Sequence, residues 1–339
     1  MATSRFDNPI TKPQNDTLSF RVMFYNAENL FDTKDNPLTD DDEFLPEAIR
    51  RWNNGRYRRK LSDLSRVIVA VGNGEIPALV GLCEIENDSV LFDLTSRSPL
   101  RALNYRYVLT QSNDPRGINV GLLYQRDRFQ LIGSQSVQIP FRDGRQSRDL
   151  LHVTGRLLCG DTLDVIIAHF PSRSGGRRES ESARMDAAHC MRRLSDSLTS
   201  CRRTPLLLIM GDLNDYPTDK SIRRTLATKT PNGKPPEAAC LYHLLARKAK
   251  RRSYGSYKHQ GVWGLLDHLI VSGNLIDSTS RFYTSESQAD VVRTLPFLLT
   301  EDNTYGGLRP FRTYYGMKYE GGYSDHLPIT AVFREIIAD

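Results

Sequence analysis

No apolar run in this sequence approaches the ~20 residues that cross a bilayer, so a membrane-spanning protein is not expected. The opening stretch, MATSRFDNPITKPQND, holds no apolar core segment and does not read as a signal peptide. Cytoplasm is therefore the default location, with an exported form whose leader has been trimmed as the other reading. Cysteine is scarce. The five present, Cys83, Cys159, Cys190, Cys201 and Cys240, are odd in number and show no metal-ligand spacing, so neither a zinc site nor a disulfide framework is expected. A Gly-x-x-x-x-Gly-Lys-Ser/Thr loop, a Gly-x-Gly-x-x-Gly turn after a strand and a Gly-x-Ser-x-Gly elbow are all missing. Those absences remove the signatures of P-loop nucleotide hydrolysis, dinucleotide redox chemistry and α/β-hydrolase acyl transfer. There is also no internal repeat, low-complexity tract or linker-like shift in composition. A single domain over residues 18–339 behind a tail of residues 1–17 is expected, and a monomer.

What is present is a chain of 339 residues, 39% apolar and 25% charged, long enough to bury a large core. Its net charge of +6 favours a polyanionic or phosphate-bearing partner. Helical periodicity predicts helices over KLSDLSRVIVAV, over residues 179–198 and over EAACLYHLLARK. Thr218 and Asp219 predict the cap of a short helix ending at Leu226. The Asp-rich 33–44 and the Pro- and Gly-rich 228–237 read as loops. The basic run RRWNNGRYRRK (50–60) reads as a solvated helix face, with a nucleic-acid surface as the other reading.

The informative pattern is how the strand-like runs end. LSFRVMFYNAEN delivers Asn26 and Glu28, PALVGLCEIEN delivers Glu84 and Glu86, LDVIIAHFPSR delivers His169, and TPLLLIMGDLND delivers Asp212, Asn214 and Asp215. A single polar residue after a strand is ordinary loop composition. Four such strands predict that one rim of the sheets is a site. Carboxylates with an amide are hard oxygen ligands for Mg²⁺, Mn²⁺ or Ca²⁺, and histidines beside such an ion supply protons or positive charge to a phosphoryl group. Metal-assisted phosphoester hydrolysis is the chemistry that survives.

In this order YNAENLFD, GLCEIEN, AHFPSRSGG, MGDLNDYPTD, LLDHLIVS and YSDHLPI resemble the endonuclease/exonuclease/phosphatase superfamily, which contains deoxyribonuclease I, exonuclease III and the inositol polyphosphate 5-phosphatases. The resemblance spans roughly residues 20–333. It implies an α+β fold, a four-layer α/β/β/α sandwich of two facing, mostly antiparallel sheets flanked by helices, with the site at one end of the sheets.

The resemblance also implies roles. Glu84 becomes the principal Mg²⁺ ligand, with Asn26 close by and Asp325 acting directly or through water. Asp212 positions and deprotonates the attacking water, and Asn214 holds Asp212. His326 faces the scissile phosphate with Asp267 fixing its tautomer, and His169 is the second group facing the phosphate. Asn119 and Arg173 are candidate substrate contacts, or else a turn residue and a solvated charge. His268, on the opposite strand face from Asp267, is expected to pack, while Glu28, Glu86 and Asp215 are expected either to support the site or to be ordinary loop residues. Abasic-site nucleases carry Tyr where this sequence has His169, so the resemblance disfavours that activity. A nuclease acting on DNA or RNA is the favoured reading. A phosphatase or phosphodiesterase for a small or lipid phosphate is the alternative, and a non-catalytic binding module is the third.

Overall fold

The computed structural model of the chain describes residues 16–173 and 175–337. The tail expected over residues 1–17 lies mostly outside them, and the first strand already begins at Asp16. Among these residues two large mixed sheets form the core of the fold, and three two-stranded ribbons, among them Tyr257–His259 with Val262–Gly264, lie outside them. The first runs in the order Phe282–Tyr283, Ile329–Ile337, Asp16–Leu30, Leu79–Ile85, Asn119–Tyr124 and Arg106–Leu109, with Ala289–Val291 also pairing to Ile329–Ile337. The second runs Gln130–Val137, Leu150–Arg156, Thr162–His169, Leu206–Asp212, Asp267–Ser272 and Leu241–His243.

Each sheet contains one parallel pair, Asp16–Leu30 with Leu79–Ile85 and Thr162–His169 with Leu206–Asp212, and its other pairings are antiparallel. A parallel pair needs a crossover, and a helix supplies it each time. Asn54–Gly72 joins the first pair and Glu181–Cys201 the second. The periodicity over 61–71 buries Leu61, Leu64, Val67, Ile68 and Val71, while the Asn53 side chain caps the helix by accepting from the Gly55 and Arg56 amides. On Glu181–Cys201 the buried face includes Met191 and the alanines Ala183, Ala187 and Ala188, whose small side chains let the helix lie close to its sheet. One core fills the space between the sheets, and a second lies between the second sheet and this helix. The α/β/β/α sandwich expected from the sequence is the fold observed.

Two local expectations are corrected. EAACLYHLLARK is not a helix: Leu241–His243 is an edge strand paired with Asp267–Ser272, and the chain then turns. Leucines at i, i+3 and i+4 fit a short buried strand followed by a turn as well as a helix, and the open sheet edge decides the outcome. After Thr218 the helix shrinks to one turn, Ser221–Thr225, and the Asp219 carboxylate accepts from the Tyr216 amide. The basic run 50–60 leads into the first helix, but its aromatics are not a surface. Trp52 is buried and donates to the Phe31 carbonyl, and Tyr57 is buried and donates to Asp93.

The topology places the site. The C-terminal ends of the four parallel strands carry Asn26, Glu84, His169 and Asp212. Asp267 opens the antiparallel neighbour Asp267–Ser272, and Asp325 and His326 precede Ile329–Ile337, so both arrive at the same rim.

Candidate active site

On the second sheet, His169 stands opposite Asp212 and Asp212 opposite Asp267, so three polar side chains lie side by side on adjacent strands. Gly211 explains the first letter of the Gly-Asp-x-Asn turn. A Cβ there would lie 2.4 Å from the Ala168 carbonyl oxygen, so the close pairing that brings Asp212 beside His169 admits only glycine.

The first sheet contributes through irregularity. Pairing between Asp16–Leu30 and Leu79–Ile85 slips after Asn26, and pairing of Leu79–Ile85 with Asn119–Tyr124 slips around Glu84. Bulges of this kind re-aim side chains at sheet rims. Glu28, Asn29 and Glu84 take left-handed backbone, with φ of 50, 54 and 59°, and Asn214 across the site has φ 52°. Such conformations cost non-glycine residues energy and gather where surrounding structure enforces them. As a result, the Asn26 amide nitrogen meets Glu84 Oε1 at 3.3 Å and Asp212 Oδ2 at 3.2 Å, bridging the two sheets. The Asn29 amide donates to Glu84 Oε2 at 2.8 Å.

Ser-Asp-His closes the arrangement. Ser324 Oγ donates to the Asn26 carbonyl and accepts from the His326 amide, which fastens this turn to the first sheet. His326 Nδ1 lies 2.7 Å from Asp267 Oδ2, leaving Nε2 aimed inward, 3.7 Å from Asp212 Oδ2. His169 Nε2 approaches the same Asp212 oxygen at 3.8 Å and Glu84 Oε1 at 3.9 Å. Two imidazoles thus flank one carboxylate oxygen, while the other, Oδ1, accepts from the Asn214 backbone N–H at 3.0 Å.

The two histidines sit in opposite electrostatic surroundings. Burial lowers the pKa of His169, and Arg148, Arg116 and His326 lower it further, so it is neutral. Burial also works against the charge on His326, but Asp267 and Asp212 outweigh it and hold the pKa well above the ordinary value, so this ring is a cation at neutral pH. Burial pushes Asp212 up to about 7, with His326 opposing and Asp267 and Glu84 adding to the rise.

The remaining expected residues divide. Asn214 braces the turn by donating to the Phe170 carbonyl. Asp325 is half-buried and acts electrostatically on Tyr257, Glu28 and His326. Asn119 is buried and committed within the protein: it donates to the Glu86 carbonyl and accepts from Thr110 and Ser112. Arg173 is committed as well, donating to the Asn214 carbonyl, pairing with Asp215 and Asp219, and lying over the Tyr216 ring. His268 packs as expected. It completes a buried chain in which Leu245 N–H donates to His243, His243 to His268 and His268 to the Asp215 carbonyl. Sequence reading missed Tyr257, whose ring lies 4.8 Å from that of His326, and Arg116, which bonds Asn29 and acts on His169. Neither sits near a strand end that delivers a cluster of polar residues, so the pattern that found the others could not find them.

The sequence profile of the Endonuclease/Exonuclease/phosphatase family matches residues 21–335. The chain belongs to this family. No curated protein matches it in sequence. Among solved structures, an endonuclease/exonuclease/phosphatase family protein from Bacteroides thetaiotaomicron is similar, with a TM-score of 0.57 at 14% identity, covering 95% of this chain and 97% of that one. D. rerio TDP2 complexed with single-strand DNA product gives a TM-score of 0.55 at 14% identity, covering 93% of this chain and 98% of that one. The human Nocturnin catalytic domain with bound sulfate gives 0.54 at 16%, covering 94% of this chain and 97% of that one. At such identities these likenesses concern the fold. Family and site together make the protein a metal-dependent phosphoesterase.

The residues fit a divalent cation. Among the described residues no Lys or Arg lies at ion-pair distance from Glu84, Asp212, Asp267 or Asp325; the close charged partners are imidazoles, and buried Lys60 acts on Glu84 and Asp325 only from farther off. Ligand-type atoms of Asp212, Asp267 and His326 lie within 4.8 Å of one another, although the 2.7 Å bond already commits Asp267 to His326. Asn26 turns its amide nitrogen to the carboxylates and its oxygen to the Glu28 amide, so ligation through that oxygen requires giving up the Glu28 bond. Among the described residues no helix is long and apolar enough to cross a membrane.

Proposed function

We propose that the protein is a nuclease that hydrolyses phosphodiester bonds of DNA or RNA with Mg²⁺ or Mn²⁺. The observation that carries this reading is the placement of two guanidinium groups on either side of the reactive centre. Arg116 lies at the His169 and Glu84 side, where it bonds Asn29. Arg312 lies at the His326 side, within electrostatic reach of Tyr257. A substrate with one terminal phosphate needs its positive charges gathered on one spot, whereas a polynucleotide carries phosphates on both sides of the one being cut.

Within this reading Asp212 is the general base. The Asn214 backbone N–H fixes Oδ1, so Oδ2 faces the space between the imidazoles, and a carboxyl pKa near 7 suits proton removal at neutral pH. His326, held protonated and oriented by Asp267, donates to a phosphoryl oxygen and offsets the charge that builds there. Neutral His169 offers a hydrogen bond from the other side. Glu84 and Asp325, beside Asn26, would hold a divalent cation, which would supply Lewis-acid charge at the phosphoryl group.

Salt dependence tests the substrate class. With Asp212→Asn, which cannot activate water, affinity for duplex DNA and for single-stranded DNA and RNA should fall steeply as salt rises, with a log–log slope of roughly −0.9 per phosphate contacted in duplex and −0.7 in single strands. A shallow slope, or no binding at low salt, would instead assign the site to a small or lipid phosphate.

A further inference from the structure

Beside His326 lies a cavity of about 260 Å³ whose lining includes Tyr257, His259, Tyr305, Arg309, Arg312 and Tyr315. It is joined to the reactive centre through Tyr257, which bridges to His326 in backbone register and lies against its ring. Tyr257 and His259 present nearly parallel rings, 12° apart in plane with centroids at 6.4 Å. Of the cations here, two serve the walls. Lys258 pairs with Asp302 at 2.8 Å, and Arg309 pairs with Glu320 at 2.8 Å while stacking on Tyr315. Arg312 also lies over the Tyr315 ring, 5.4 Å from its centroid, but differs from the other two in having no counter-ion. Its side chain has no hydrogen-bond or ion-pair partner among the described residues, and its Nε is buried without one. Leaving such a donor unmet is costly unless a ligand completes it. The segments that build the cavity also hold five of the exposed large apolar side chains, Val262, Tyr305, Leu308, Tyr315 and Met317, and such exposure marks binding surface.

We infer that this cavity is the subsite for a nucleotide unit next to the bond being cut, taking an unpaired base against its aromatic rings and the adjoining phosphate on Arg312. The inference rests on the nuclease reading and narrows its substrate to single-stranded nucleic acid. Stacking on aromatic faces with a cation on the backbone is how proteins hold single strands. A duplex keeps its bases paired and stacked, out of reach of these rings.

The test uses the full chain carrying Asp212→Asn, a labelled single-stranded oligothymidylate, an oligouridylate and a blunt DNA duplex, with affinity read by fluorescence anisotropy across a salt series. Arg312→Gln should weaken single-strand binding about tenfold and reduce the salt slope by ~0.7, one phosphate contact. Tyr315→Ala should weaken it roughly 5- to 100-fold with the slope unchanged, since stacking carries no ion release. Tyr315 is exposed, so its replacement leaves folding intact, and Arg312→Lys should recover the salt slope. A parent that binds single strands while Arg312→Gln and Tyr315→Ala bind equally well overturns the subsite alone. Tighter binding of the duplex than of the single strands also overturns it. A parent that binds no nucleic acid overturns both the subsite and the nuclease reading.

Discussion

Replacing Asp267 with Asn tests how the site makes its acid. The carboxylate is buried and accepts from His326 Nδ1 at 2.7 Å, in the range of charge-assisted bonds. Such a bond is worth ~1.5–3 kcal/mol net, which converts to roughly 10- to 150-fold in rate at about 1.4 kcal/mol per factor of ten. A second loss adds to it. Burial opposes the charge on His326, and Asp267 is the largest influence holding it on, so in Asp267→Asn the ring deprotonates at lower pH. The combined fall in kcat should be ~10²- to 10⁴-fold, the span of positioned acid–base groups. The sign of the pH effect follows. With its pKa raised well above the ordinary value, the wild-type His326 keeps its proton to higher pH than a free imidazole does, so the alkaline limb of the rate profile should move down in Asp267→Asn. Imidazole ¹⁵N shifts should report His326 charged in the wild type and neutral in the variant at the same pH. Because the two residues act as a unit, His326→Ala combined with Asp267→Asn should cost little more than either alone. An unmoved alkaline limb, or fully additive losses, would refute the reasoning.

Gly211→Ala should destabilise the fold by ~1–3 kcal/mol, because the new methyl meets the Ala168 carbonyl oxygen at 2.4 Å, whereas Gly133→Ala, with nothing within 4 Å, should not; thermal melts of both variants compare them directly. Asp164 gives a pH-dependent stability. Burial would raise its pKa, but bonds from His152, Arg202 and Thr154 outweigh burial and hold it down to about 2. A depressed carboxyl pKa stabilises the fold above its unfolded value and loses that contribution as pH falls through the folded one. Asp164→Asn should therefore cost about 2 kcal/mol at pH 7, with the difference from wild type vanishing toward pH 2, as measured by urea unfolding at a series of pH values.

Much of the site was legible because the fold gathers strand ends. A strand that stays apolar through Cys83 or Met210 and then turns polar must leave the core there, and in a sandwich with two parallel pairs those exits share one rim. The first helix was legible over residues 60–71 from its periodic apolar stripe, whereas its start at Asn54 and its Asn53 cap were seen only in the structure. What escaped depends on partners distant in sequence. Leu241–His243 becomes a strand only because Asp267–Ser272 offers it an edge. Arg173 reads as a free cation beside glycines, yet Asp215 and Asp219, more than forty residues on, draw it inward. Tyr257 carries no local signal, and its bridge to His326 spans 69 positions of sequence (326 − 257). The left-handed backbone at Glu84 follows from a register slip between strands, which composition does not encode.

The most direct test of metal-dependent phosphoester hydrolysis at the Glu84–Asp212 centre is the initial rate on bis-p-nitrophenyl phosphate and on DNA, measured after EDTA treatment and then across added Mg²⁺ and Mn²⁺. Wild type should be silent in EDTA and recover fully with either ion. Glu84→Gln should need a much higher ion concentration for half-maximal rate while its circular dichroism stays that of the wild type. Full activity in EDTA, or an unchanged ion requirement in Glu84→Gln, would contradict the account.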